Sequence, residues 1–204
     1  MSAQGAAAPI PVESPEVESR IVSVGSYLLS AGTTFFFIAF LFAFFYLRAL
    51  NSNGLWGGPK PGHHVPTTLT AGIAILACVL ASVALARLAL VELRGRGRAF
   101  WWPVGISALL LGLAAVAIQC WQYTDLAFGT SEGGYANVYL GWTGFFTIFV
   151  FGAMVWLEMI LVTARRAPST TAARPEPDLA SFSVFWSTLG LVEIAAFVLL
   201  YGVK

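Results

Sequence analysis

The stretch TGFFTIFVFGAMVWLEMILV, from Thr143 to Val162, is apolar almost throughout and carries one acid, Glu158. As a helix it is long enough to cross the hydrocarbon core of a bilayer, which takes about 20 mostly apolar residues. Four further segments meet the same standard, so the chain reads as five spans at approximately 22–49, 66–93, 99–126, 136–164 and 180–203. Composition agrees: of 204 residues, 58% are hydrophobic and 10% charged, against about 25% charged in a soluble domain. Turn formers gather between the spans, in NSNGLWGGPKPGHHVP, RGRGR, GTSEGG and RRAPSTTAARPEPD. The expectation is an all-α integral membrane bundle, a single domain over 21–204 preceded by a soluble tail over 1–20. That tail is acidic and Pro-containing and lacks the basic start of a cleaved signal peptide.

Basic residues near the span ends set the direction of insertion. Arg20, Arg94, Arg96, Arg98, Arg165, Arg166 and Arg174 share one face, while Arg48, Lys60 and Lys204 share the other. The first face is expected to be cytoplasmic, with the N-terminus inside and the C-terminus outside. Trp56, Trp101, Trp102 and Trp142 are expected near the membrane interfaces, where amphipathic rings prefer to sit. The net charge of +1 gives no argument for nucleic acid. Cys78 and Cys120 lie in separate spans without a C-x-x-C pattern, so both read as small packing residues.

Within lipid there is little hydrophobic drive between helices, and contact faces are marked by small and polar residues. Stripes at spacings of three and four pick out Ser23, Ser26, Ser30 and Thr33 on the first span and Ala74, Ala77, Ala81 and Ala84 on the second. The third carries Gly105, Ala108, Gly112, Ala115, Gln119 and Gln122, and the fifth Ser183, Ser187, Gly190 and Glu193. These stripes predict the packed faces of the bundle. The run TTFFFIAFLFAFFY puts phenylalanines on every side of the first span, so some must face lipid or a partner chain.

Ionisable groups inside a span are costly and prompt a functional reading. Glu158 lies seven residues before Arg165, and Arg87 seven before Arg94, a depth of roughly 10 Å at 1.5 Å per residue. The equal depth predicts a Glu158–Arg87 ion pair. Glu193 is deeper and has no cationic partner in the sequence, which leaves open a proton or ion path. No catalytic residues are indicated: there is no P-loop and no nucleophile–base arrangement, and no metal site is indicated. His63 and His64, the only histidines, sit side by side in a loop and do not complete a metal site.

Four segments, in order and on the matching spans, resemble subunit III of the haem–copper oxidases (the cytochrome c oxidase subunit 3 family) in its short five-span bacterial form. SYLLSAGTTFFFIAFLFAFFYLRA is similar to the family's first aromatic segment, and LAAVAIQCWQYTDL to its Gln-x-x-Glu-Tyr/Trp close. In YANVYLGWTGFFTIFVFGAMVWL, residues Thr143, Gly144, Phe145, Val150 and Trp156 fall in register with the family, as do Phe185 and Trp186 in SFSVFWSTLGLVEI. The departures are systematic. The family's membrane glutamate falls at Thr34, its histidines at Phe146 and Phe149, its second glutamate at Gln122, and its last histidine and aspartate at Ser187 and Gly190.

The resemblance implies a non-catalytic subunit of an oxidoreductase complex in the bacterial plasma membrane. It would hold no cofactor of its own, with haem and copper carried by partner subunits I and II. In the family, phospholipid occupies a cleft between the first two spans and the rest. The corresponding lipid-binding candidates are Thr34, Phe37 and Phe44 with Trp142 and Phe146, while Arg20 and Arg94 could meet phosphates at the inner surface. With phenylalanine in place of the family's histidines, polar anchoring of the fourth span is expected to fall to Glu158. The neighbouring readings are subunit III of a quinol oxidase or the accessory protein of nitric oxide reduction. From another class stands a small transporter using Glu193.

Overall fold

The computed structural model describes residues 14–51, 56, 68–95, 100–126, 128–166 and 175–203. His63, His64, Lys60, Arg96, Arg98, Arg174 and Lys204 lie outside the described residues. Five long helices account for almost all of them, and no strand occurs among them: α1 (Pro15–Ala49), α2 (Leu69–Arg94), α3 (Trp101–Thr124), α4 (Gly134–Arg166) and α5 (Pro175–Phe197). A short 3-10 turn, Thr130–Glu132, precedes α4, and α5 runs on into wider π-helical turns over Val198–Gly202. All five helices are long and apolar enough to cross a membrane. α1 opens on a proline at its first turn, where the missing N–H would have had no partner anyway. Its start lies inside the stretch expected to be a soluble tail.

α5 is the hub, packing against α1, α2 and α4. α2 also packs on α3, α3 on α4, and α4 on α1. Among the described residues, the first two spans are therefore not set apart from the other three. α1 closes directly onto α4 and α5 instead.

The stripe on α3 is the buried face, residue for residue: Gly105, Ala108, Gly112, Ala115, Gln119 and Gln122 are all buried. The reason is close approach. A Cβ at Gly105 would lie 2.8 Å from Leu161 Cδ2, and one at Gly112 would overlap Met154 Sδ. On α1, Ser26, Ser30 and Thr33 are buried and Ser23 half-buried; on α5, Ser183, Gly190 and Glu193 are buried and Ser187 half-buried. The stripe expected on α2 is displaced. Ala77, Ala81 and Ala84 are exposed and Ala74 half-buried, while Ala71, Gly72, Ile75, Val79, Ser82, Ala86 and Ala89 face inward. Alanine occurs on both sides of this helix, so size alone does not choose a face. Ser82 and Gly72 choose it. Ser82 Oγ donates to Ala108 O of α3 at 2.6 Å and accepts the Trp186 indole N–H of α5 at 3.1 Å. Gly72 leaves room for the Tyr201 ring, which a Cβ would approach within 2.6 Å.

Among the tryptophans, Trp102 behaves as an end-of-span ring. Its indole N–H donates to Leu161 O at 3.3 Å, and the Arg165 guanidinium lies over the ring at 5.0 Å. Trp142 is buried inside the bundle. Cys78 is half-buried against the core, whereas Cys120 is exposed.

Candidate functional site

The phenylalanines of α1 divide by side. Phe35 and Phe42 point outward, at 73% and 68% exposed, while Phe37 and Phe44 are buried. The inward set meets α4. The Phe37 ring lies 5.8 Å from Trp142 and 6.2 Å from Phe146. Phe36 lies 5.1 Å from Phe145, and Phe44 lies 5.1 Å from Trp56, which in turn meets Tyr135 at 5.9 Å. Phe37, Trp142 and Phe146 are thus brought together, with Phe44 further along the same helix. They form a packed aromatic seam. Edge-to-face contacts of this kind stabilise by about 0.5–1.5 kcal/mol each beyond area burial, so an acyl chain would have to displace them. Phe40 and Phe149 also join the seam. Their spacing, four from Phe36 and four from Phe145, was the available signal for them.

The other expected lipid contacts lie elsewhere. Thr34 is exposed, and its hydroxyl donates back to Ser30 O at 2.8 Å. Arg20 is exposed near the start of α1. Arg94 Nε pairs with Glu176 Oε1 at 2.9 Å, with both side chains about half exposed.

A second cluster was not read from the sequence as a unit. Gln119 Nε2 donates to Gln122 Oε1 at 3.2 Å, and Gln122 Nε2 donates to Tyr201 Oη at 3.3 Å. Tyr201 and Tyr139 hydroxyls meet at 3.2 Å, and the Tyr135 hydroxyl donates to Leu200 O. Alongside, Tyr123 donates to Thr143 at 2.8 Å, and Thr143 to Tyr139 O at 2.7 Å. This ladder ties α3, α4 and the π-helical end of α5 together. Its amides and phenols can hold water and fix helix rotation. A small cavity with room for about one water molecule lies between α2, α3 and α4, lined in part by Ile75, Gln119, Phe146 and Thr147. Positions where the family carries ionisable groups are therefore occupied by contacts of another kind. Gln122 is a rung of the ladder, Phe146 and Phe149 belong to the seam, Ser187 accepts from Arg87, and Gly190 lies against Val83.

The three in-span ionisable residues separate. Glu193 is 7% exposed, and among the described residues no hydrogen bond or ion pair reaches its carboxyl. It follows Trp186 by seven residues, close to two full turns, and so shares the inward side of α5. Glu158 and Arg87 are both exposed on the outside of the bundle. The expected ion pair between them does not form. Arg87 Nε donates to Ser187 Oγ at 2.9 Å instead. The reason is topological: α2 and α4 share α3 and α5 as neighbours rather than packing face to face. Among the described residues, no group of three or more His, Cys, Asp or Glu side chains is placed to hold a metal ion.

No known family profile matches the chain. It is 26% identical over 110 residues to the cytochrome c oxidase subunit 3 of Thermostichus vulcanus, a match covering 54% of this chain and 52% of that protein. The chain thus spans about half the length of the curated relative it matches, and the relationship is distant. A multi-pass helical membrane protein with a cytochrome c oxidase subunit 3 as a distant relative is what fold and comparison establish together.

Proposed function

We propose that the chain is the accessory, non-redox subunit III of a respiratory haem–copper terminal oxidase, in a short five-helix form. It would lie in a bacterial plasma membrane beside the haem-bearing subunit I and the copper-bearing subunit II. The observation that carries this reading is the similarity to a cytochrome c oxidase subunit 3 over about half the chain, on a bundle of five membrane-length helices. The interior supports a scaffolding role. The seam and the ladder both lock helices to one another, and neither contains a nucleophile–base pair. The arginine distribution supports a cytoplasmic N-terminus and an external C-terminus. Phospholipid is proposed to bind at the outer surface of α1, against Phe35 and Phe42. Arg20 and Arg94 lie at the inner end, where a basic residue contributes about 1 kcal/mol near an anionic leaflet.

The test is affinity purification of the tagged chain from mild-detergent extracts of its own membranes, followed by an absorption spectrum. A reduced-minus-oxidised haem signal at constant stoichiometry to the tag is expected. A chain that purifies in quantity without haem would sink the reading. Glu193 favours one second reading, a small transporter, because an unpaired carboxyl sits inside the bundle. That reading requires solute or ion flux across liposomes holding this chain alone, abolished by Glu193→Gln.

A further inference from the structure

Two charged side chains face outward from within the spans, and they differ. Arg87 on α2 is held by Ser187. Glu158 on α4 is exposed, and no hydrogen bond or ion pair reaches its carboxylate among the described residues. Phe151, Val155, Met159 and Val162 around it are exposed as well. Phe151, Val155 and Val162 stand seven before, three before and four after Glu158, so they lie on its side of the helix. Met154 and Leu161, four before and three after Glu158, flank it on the edge that meets α3, through Gly112 and Gly105. Glu158 therefore sits at the rim of the α3–α4 contact, within the membrane-length part of the helix.

Lipid is a poor cover for this arc. A carboxylate facing hydrocarbon costs up to about 2.5–3.5 kcal/mol at mid-span, and acyl chains offer no donor. The other outward faces pose no such demand. Ala77, Ala81 and Ala84 on α2 and Leu191, Ile194 and Val198 on α5 are outward-facing positions with no unpaired carboxylate among them. We propose that the α4 arc formed by Phe151, Val155, Glu158, Met159 and Val162 is the docking face for a transmembrane helix of the haem-bearing partner, which presents a basic side chain to Glu158 at matching depth. The proposal rests on the oxidase-subunit reading and adds to it which face meets the partner and by what chemistry. The apolar neighbours supply shape, and the carboxylate fixes register, since a single buried charge pair penalises every other vertical alignment.

The experiment uses the complex purified from membranes. A photoreactive phenylalanine analogue is placed in turn at Val155, Ala77 and Leu191. Illumination is expected to join the chain to the haem-bearing polypeptide from Val155 and not from the other two sites. Glu158→Leu is expected to reduce retention of the haem protein by roughly tenfold or more, as for removal of one partner of a buried pair. The isolated chain should keep its melting temperature, because this side chain has no partner within it. Adducts from Val155 to lipid alone or to a second copy of the chain overturn the docking face while leaving the oxidase reading intact, as does haem-protein crosslinking from Ala77 or Leu191 alone. Unchanged retention in Glu158→Leu overturns the ion pair. A wild-type chain that captures no haem protein takes both readings down together.

Discussion

A methyl group added to Gly112 would overlap Met154 Sδ, so this position fixes how near α3 and α4 can come. Gly112→Val is expected to lower stability by about 1–3 kcal/mol, the usual cost of overpacking, read as a lower unfolding temperature of the detergent-solubilised chain. Met154→Ala in the same chain should restore part of that loss, because residues in contact do not act additively. Such residues were legible beforehand where chemistry and spacing agreed. Gln119 and Gln122 in an apolar helix can have only one preferred side, and the glycines at the same spacing mark it. Glu158 was legible as an anomaly but not in its direction. Depth along a helix can be counted from the sequence, whereas the side of the helix a lone acid occupies depends on where the neighbours settle. The lateral burial of Trp142 was hidden for a related reason. An indole suits an interface in general, yet here Phe37 and Phe146 enclose it.

At the level of helices, the five spans were readable because bilayer thickness demands long apolar runs. Their ends were less so: α1 starts at Pro15 and α5 at Pro175, each ahead of its apolar core. The packing partners were hardest to foresee. On α2 an alanine-rich surface occurs on two sides, and only Ser82 and Gly72 distinguish the inner one, through contacts with Trp186 and Tyr201 that are far away in sequence. The α1–α4 seam can be tested as a unit. Phe37→Ala removes a ring that meets Phe36, Phe40, Trp142, Phe146 and Phe149. A loss of roughly 3–5 kcal/mol is expected for a buried phenylalanine. Easier proteolysis of the α1 end should accompany it, whereas Phe35→Ala on the outward side should leave both measurements near wild type.

At the scale of the whole molecule, five successive crossings among the described residues would put Ser14 and Val203 on opposite sides of the membrane. With the arginine-rich ends inside, alkaline phosphatase fused after Lys204 is expected to be active in intact cells and a fluorescent protein fused there to stay dark; the reverse pattern would invert the orientation. The hub position of α5 has a further consequence. Its most apolar stretch is 56% buried, against 22% for α1, and α1 packs on α4 and α5 rather than on its sequence neighbour. During synthesis α1 must therefore wait for α4 and α5. Until those emerge, Phe36 and Phe37 lack the rings of α4 that they meet in the finished fold, and a ribosome stalled after α3 leaves a membrane intermediate that insertion chaperones or proteases can seize.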